Sequence, residues 1–270
     1  MRNDSGFQLQ GNAPERYERY IAPLMRPFID ALLDAVDLSP GAHVLDLACG
    51  TGFVARAAAA QAGPTGHVAA ADINPDMLKL AAAKAPRLYP DIEFTQAPAD
   101  TLPYGDASFD AVLCNQGAQF FPDLSAAVAE AARVLRPGGR LALAVWAAME
   151  RCPYFAVQYE VIEEYAAPED VVAAAGAFSC DTGSLTDAFT AAGLRNITVR
   201  QLTREVVTPV LTDWIPGQMT SVPWTRSLTA AGPETFDRAC ADLTTRMADY
   251  LEPDGTARLP FTALLATAER

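Results

Sequence analysis

In the run VLDLACGTGFVAR, residues 44–56, a β-like stretch ends near Asp46, glycines follow at 50 and 52, and a helical pattern begins near Phe53. Gly50 and Gly52 carry no side chain that would keep a ligand off the turn. The helix behind them points unpaired N–H groups at whatever lies there, which suits an anion. Read as G-x-G-x-x-G, the run supplies two glycines and places Ala55 third, a replacement that a dinucleotide site accepts. Asp46 favours a different ligand. Its carboxylate would repel a pyrophosphate and attract the ammonium of an amino acid moiety. The competing reading of Asp46 is a cap on the turn that follows it.

A second acid, Asp72, closes the β-like run HVAAAD (67–72) and precedes Ile73 and a helix opening at Pro75. It is either a ligand group or the cap of that helix. Asn115, Gln116 and Gln119 follow another β-like run, at the end of a parallel sheet where ligands bind. They offer hydrogen bonds but no proton-accepting power at neutral pH. Tyr17 and Tyr20, in GNAPERYERYIAP (11–23), add two phenols that either meet a ligand or pack their helix on the sheet. Metal chemistry is not expected. The five cysteines are scattered without a C-x-x-C pair, and the two histidines, His43 and His67, open strands at the end remote from the crevice. Cys49 and Cys114 read as small core residues.

The elements that must position these groups alternate. VLDLA (44–48), HVAAAD (67–72), IEFTQA (92–97), FDAVLC (109–114) and RLALAVW (140–146) read as buried strands, with helical patterns at 54–61, 75–85 and 124–135 between them. Strand, helix, strand in succession gives a parallel, doubly wound α/β sheet. Residues 14–36 predict a helix pair broken near Pro23 and Pro27. Further on, SLTDAFTAAG (184–193) reads as a helix and ITVRQLTREVV (197–207) as an alternating strand, while FTALLATA (261–268) suits either state. The segments 147–182 and 209–256 are helical and carry Tyr154, Phe155, Tyr159, Trp214, Met219, Trp224 and Phe236. Such a density of aromatics forms either a pocket for a flat or apolar molecule or a core against the sheet edge. Trp146 divides in the same way between packing and lining the substrate site.

Half of the 270 residues are hydrophobic and a fifth are charged, so the chain can bury a full core. The net charge is −13, and no basic cluster stands out, which disfavours nucleic acid and anionic membranes as partners. No apolar run is long enough to span a bilayer, and no secretory signal is visible at the N-terminus. A cytoplasmic location is expected.

Taken together, DLACGTG (46–52), AADINPDML (70–78), LPYGDASFDAVLCNQGAQFFPD (102–123) and VLRPGGRLALAVW (134–146) occur in the order and spacing of a known family. Over residues 14–208 the sequence resembles class I S-adenosylmethionine-dependent methyltransferases, especially the subgroup like the ubiquinone/menaquinone C-methyltransferases. The resemblance implies a Rossmann-like, doubly wound seven-stranded sheet with helical lid insertions, in which 259–268 is a last, antiparallel strand. It implies S-adenosyl-L-methionine as cofactor. Asp46, Ala48, Gly50 and Gly52 would meet its methionine part, Asp72 its ribose, Ile73 and Met77 its adenine; Asn115 would also bind the cofactor, and Tyr17 would cover it. One departure is plain: Pro98 stands where similar enzymes carry the acid that bonds the adenine amino group, leaving Ala99 or Asp100 to serve the ring.

The expected organisation is one domain over 1–270. Its parts are an N-terminal helical lid (1–40), a cofactor-binding core (41–146), helical insertions on the substrate side (147–182 and 209–256) and the rest of the core (183–208 and 257–270). The expected function is methyl transfer to oxygen, nitrogen or carbon of a small, apolar or aromatic metabolite, with Tyr20 and Gln116 orienting the acceptor. Quinone C-methylation is the alternative within enzymes, and a cofactor-binding protein that no longer transfers methyl is the alternative outside them. A nicotinamide dehydrogenase is disfavoured by Asp46.

Overall fold

The structure, a computed structural model, describes residues 12–85 and 91–270. Five short apolar runs form parallel strands: β1 (His43–Leu47), β2 (His67–Asp72), β3 (Ile92–Gln96), β4 (Phe109–Asn115) and β5 (Leu135–Trp146). Two longer strands, β6 (Arg195–Val207) and β7 (Arg258–Glu269), complete a seven-stranded sheet in the order β3-β2-β1-β4-β5-β7-β6. β7 runs antiparallel to both of its neighbours. The ambiguous C-terminal run is thus a strand, and the fold is the α/β architecture expected from the sequence.

Alternate residues of the central strands face two cores, because both faces of a parallel sheet must be covered by helices. Val44, Val68, Ala70, Leu113 and Ala144 bury one face against α2 (Ala22–Val36) and α3 (Phe53–Ala62). Leu45, Leu47, Val112, Leu141 and Leu143 bury the other against α5 (Leu124–Val134) and α8 (Thr182–Ala191). Side chains fix where the helices begin. Asn74 accepts hydrogen bonds from the N–H groups of Asp76 and Met77 at the start of α4 (Pro75–Lys84), and Asp123 accepts from Ala126 at the start of α5.

Two expectations need correction. β5 begins at Leu135, not Arg140, because residues 136–139 loop out of its pairing with β4 and pairing resumes at Arg140 opposite Ala111. The N-terminal helix pair breaks at Ile21, between α1 (Ala13–Tyr20) and α2, while Pro27 lies inside α2. Pro27 forfeits only the bond to the carbonyl of Pro23, one turn from the helix start. Leu24, Phe28 and Leu32 bury that helix face and outweigh the loss. Residues 1–11 of the expected lid lie outside the described residues.

The insertions form a helical layer of α6 (Pro153–Tyr165), α7 (Pro168–Gly176), α9 (Leu211–Met219), α10 (Arg226–Ala230) and α11 (Pro233–Arg246). It is tied to α1 by three contacts. The indole N–H of Trp214 donates to the carbonyl of Tyr20 at 3.0 Å, Arg16 donates to the carbonyl of Thr220, and the Tyr20 ring lies directly over Gly217. On its other side α1 meets the core, where Glu18 pairs with Arg56 at 3.3 Å and Lys84 at 3.5 Å. No helix among the described residues is long and apolar enough to cross a membrane.

A Cβ on Gly217 would come within 2.4 Å of the Tyr20 ring. Gly217→Ala is therefore expected to push that ring aside, lower the melting temperature by several degrees and speed amide exchange in residues 13–21. Adding Tyr20→Ala to Gly217→Ala should cost less than Tyr20→Ala alone. Additive losses would mean that the ring and the glycine are not in contact.

Candidate active site

A cleft of about 610 Å³ opens at the carboxyl ends of β1, β2, β4 and β5. Three residues on its floor have left-handed backbone, Ala48 (φ 55°), Gly50 (52°) and Gln116 (57°), as does Gly52 (79°) in the same glycine turn. For Ala48 and Gln116 this conformation is costly, about 1–3 kcal/mol each, and such strain gathers where a backbone must present itself to a ligand. A Cβ on Gly50 would meet no protein atom within 4 Å. The glycine leaves open space above the turn, where a ligand could lie against the backbone.

Two buried carboxylates shape that turn. Asp46, at the end of β1, accepts from the Ala55 N–H with Oδ2 at 2.8 Å, so the capping reading of this residue is correct as far as it goes. Its Oδ1 has no partner. Asp72, at the end of β2, accepts from the N–H of Gly50 with Oδ2 and from that of Asn74 with Oδ1, each at 2.8 Å. The helix cap at α4 is Asn74, so Asp72 is not needed for it. Burial pushes the Asp46 carboxyl up to about 8, opposed by the Ala55 hydrogen bond and helped by the charge of Asp72. Burial raises Asp72 as well.

Among the described residues none that line the cleft is Lys, Arg or His, while Asp46, Asp72, Asp100 and Asp123 all reach it. Such a wall suits a cationic ligand and opposes a pyrophosphate. Beyond Asp72 the cleft is closed by Ile73, Met77 and the segment Ala97–Asp100. Ile73 is 46% exposed, an apolar side chain left uncovered at the cleft, and Met77 is packed under Ala13 and Tyr17. Tyr17 brings α1 over this end. Burial, with the charges of Asp72 and Glu18, raises its phenol far above the ordinary range, so it remains protonated.

The end beneath β4 and β5 differs in character. Trp146, Phe155, Phe120, Phe121 and Trp224 line it together with Ile21, Met25 and Val222. Trp146 stands 5.1 Å from Phe155 and edge-on to Phe28 at 5.5 Å. Polar groups here are amides. Gln116 accepts from the Gln119 amide at 3.1 Å, which leaves Gln116 Nε2 and Gln119 Oε1 without partners. Among the described residues seven buried side-chain nitrogen or oxygen atoms lack a partner, and five of them belong to residues on this cleft: Asp46, Asn115, Gln116, Gln119 and Gln218. Unsatisfied groups of this density are costly in an interior and mark surfaces that meet a ligand.

All the residues expected at the site from sequence line this cleft except Tyr20 and Gly52, whose missing side chain would meet Ala81 and Phe94. Tyr20 ends α1, and its ring turns away onto Gly217. Of the aromatics in the insertions, Phe155 and Trp224 reach the cleft, whereas Tyr154 and Trp214 are buried in the helical layer behind it. Cys49 lines the cleft too, but burial and the nearby carboxylates push its thiol up and keep it protonated. Gln218 was not expected. A lone amide on the apolar stripe of Trp214, Ile215 and Met219 is the signal that would have marked it.

The raised Asp46 sets a pH dependence. A carboxyl that titrates near 8 when folded and near 4 when unfolded favours the fold fully below pH 4 and loses that advantage as pH rises toward 8. Asp46→Asn keeps an acceptor for Ala55 and should gain on the wild type, in urea unfolding, as pH is raised from 5 to 8.5. A difference that does not vary with pH would show that Asp46 is already ionised in the fold.

Residues 45–143 match the family model described as a methyltransferase domain. The nocamycin O-methyltransferase of Saccharothrix syringae is 38% identical over 130 residues, covering 47% of this chain and 46% of that protein. A ubiquinone/menaquinone biosynthesis C-methyltransferase from Hahella chejuensis is 43% identical over 111 residues, covering 40% and 45%. The chain thus spans less than half the length of these curated relatives. A phosphoethanolamine N-methyltransferase from Haemonchus contortus, solved with S-adenosylhomocysteine, superposes with a TM-score of 0.62 over 95% of this chain and 56% of that one. At 16% identity that likeness is one of fold. Residues 45–143 thus match a methyltransferase domain, within a chain whose fold is also that of the solved methyltransferase.

Proposed function

We propose that the protein uses S-adenosyl-L-methionine to methylate a small, uncharged and largely apolar molecule. One observation carries this reading: a single cleft joins a cation-free, acid-lined half to an aromatic half roofed by an inserted helix. The cofactor supplies a methyl group on a sulfonium, which is displaced in line by a nucleophile. Asp72 has lone pairs left for the ribose hydroxyls, Ile73 and Met77 flank the adenine, and Ala99 and Asp100 meet its edge in place of the acid replaced by Pro98. Asp46 and Asn115 take the amino acid moiety over the backbone of Ala48, Gly50 and Gly52, with Tyr17 above.

On the acceptor side Gln116 is the orienting group, and Tyr20, held on Gly217, does not share this role. No side chain there serves as a strong base at neutral pH, since Gln116, Gln119 and Gln218 are amides and Tyr17 stays protonated. Catalysis would come from placement and from exclusion of water between the aromatic walls. The acceptor must then be nucleophilic on its own account. Quinone-type C-methylation fits the same walls. A cofactor-binding protein without transfer is the second reading, favoured by the lack of a base.

Asp72→Ala should weaken S-adenosylhomocysteine binding at least about tenfold in calorimetry, since each bond to a charged acceptor contributes roughly 1.5–3 kcal/mol. Gly50→Ala should lose stability at its left-handed backbone and bind S-adenosylhomocysteine at least about tenfold more weakly, because its side chain would enter the space above the turn. Wild-type affinity in either folded variant would remove that residue from the cofactor site.

A further inference from the structure

Gln218 lies on α9, wholly buried, in the wall of the aromatic half. Its carbonyl oxygen is fully committed. Oε1 accepts from the Tyr154 hydroxyl at 2.7 Å and from the Gln158 amide at 2.6 Å. Tyr154 and Gln158 are themselves buried, and Gln158 also contacts Met219 Sδ at 3.2 Å. This network fixes which way the Gln218 amide faces. Nε2, which has no partner, is the group it has left to offer. A buried amide held from behind by two donors is costly unless something accepts from its N–H. Replacing it with an apolar residue would fill the helix equally well, so packing alone does not account for it.

Across the cleft Gln116 and Gln119 share one hydrogen bond. Whichever amide donates, the pair retains one unpartnered amide nitrogen and one unpartnered carbonyl oxygen. The aromatic half therefore offers two amide donors and one amide acceptor between the faces of Trp146, Phe155 and Trp224, with no cation among them.

Building on the methyl-transfer reading, we propose that Gln218 is a specificity-determining residue whose amide N–H binds a carbonyl oxygen on a neutral, planar acceptor. The ligand class is an aromatic ketone. Carboxylates and phosphates are disfavoured because no cation among the described residues faces them, and plain hydrocarbons because they leave the Gln218 N–H unpaired. A site built to hydrogen-bond one oxygen discriminates strongly against the analogue without it.

The test uses 9-fluorenone and fluorene, planar molecules of nearly equal shape that differ by one carbonyl. Binding is read from quenching of tryptophan fluorescence, since Trp146 and Trp224 line the cleft. The wild type should bind 9-fluorenone at least about tenfold more tightly than fluorene. Gln218→Met fills similar space without an N–H or O–H donor and should abolish the preference. The double variant Gln218→Leu/Tyr154→Phe removes the buried partner as well and should do the same, with fluorene binding no weaker than in the wild type. Equal affinities in the wild type, no binding of either probe up to its solubility, or a preference that survives both variants would overturn the assignment. S-adenosylhomocysteine is titrated in parallel. If the ketone preference behaves as expected while S-adenosylhomocysteine does not bind, the carbonyl subsite stands and the methyl-transfer reading fails.

Discussion

Two buried carboxylates, one at the end of each of two adjacent parallel strands, hold the turn on which the rest of the site depends. Asp46 grips the first turn of α3 through the Ala55 N–H, and Asp72 grips the glycine turn through the Gly50 N–H. Each bond fixes backbone that would otherwise be free to sample the wide range open to glycine. Together they keep a concave surface over Ala48 and Gly50. The same charges then decide what can enter. With no cation on the wall, the cleft favours a positive ligand and disfavours a diphosphate, although the glycine spacing alone would accept either. Burial raises both carboxyls, so a cationic ligand would also relieve a cost carried by the fold itself.

The other half of the cleft depends on a different constraint, the docking of α9 against α1. Trp214, Arg16 and the Tyr20–Gly217 contact hold the two helices together. That joint places Val222, Trp224 and Gln218 opposite the ends of β4 and β5. The glutamine pair on the β4 loop begins at a strained residue, Gln116, whose left-handed backbone turns the chain back toward the cleft. Acceptor recognition thus comes from segments distant in sequence, brought together by packing of apolar helices.

The parts of the fold with local signals were legible before the structure. Short apolar runs such as HVAAAD and FDAVLC, alternating with helical patterns, read as strands buried on both faces, and Asp46 and Asp72 stand out because each is a charge ending such a run. The order and spacing of four motifs extended this to the seven-stranded sheet and to the antiparallel β7. Long-range contacts were not legible. Tyr17 and Tyr20 sit three residues apart and look equivalent, yet Tyr20 is claimed by Gly217, a partner no local pattern reveals. Gln218 belongs to a network with Tyr154 and Gln158, some 60 residues away. The left-handed backbone at Ala48 and Gln116 gives no sign in their side chains, because neither residue type prefers it.

The central claim is that the acid-lined turn selects a sulfonium nucleoside over a dinucleotide. Calorimetric titration of the wild-type protein with S-adenosylmethionine and, separately, with NAD at pH 8 tests it most directly. Saturable binding of S-adenosylmethionine with no heat from NAD is the result the account predicts. Binding of NAD as tight as or tighter than that of S-adenosylmethionine would contradict it.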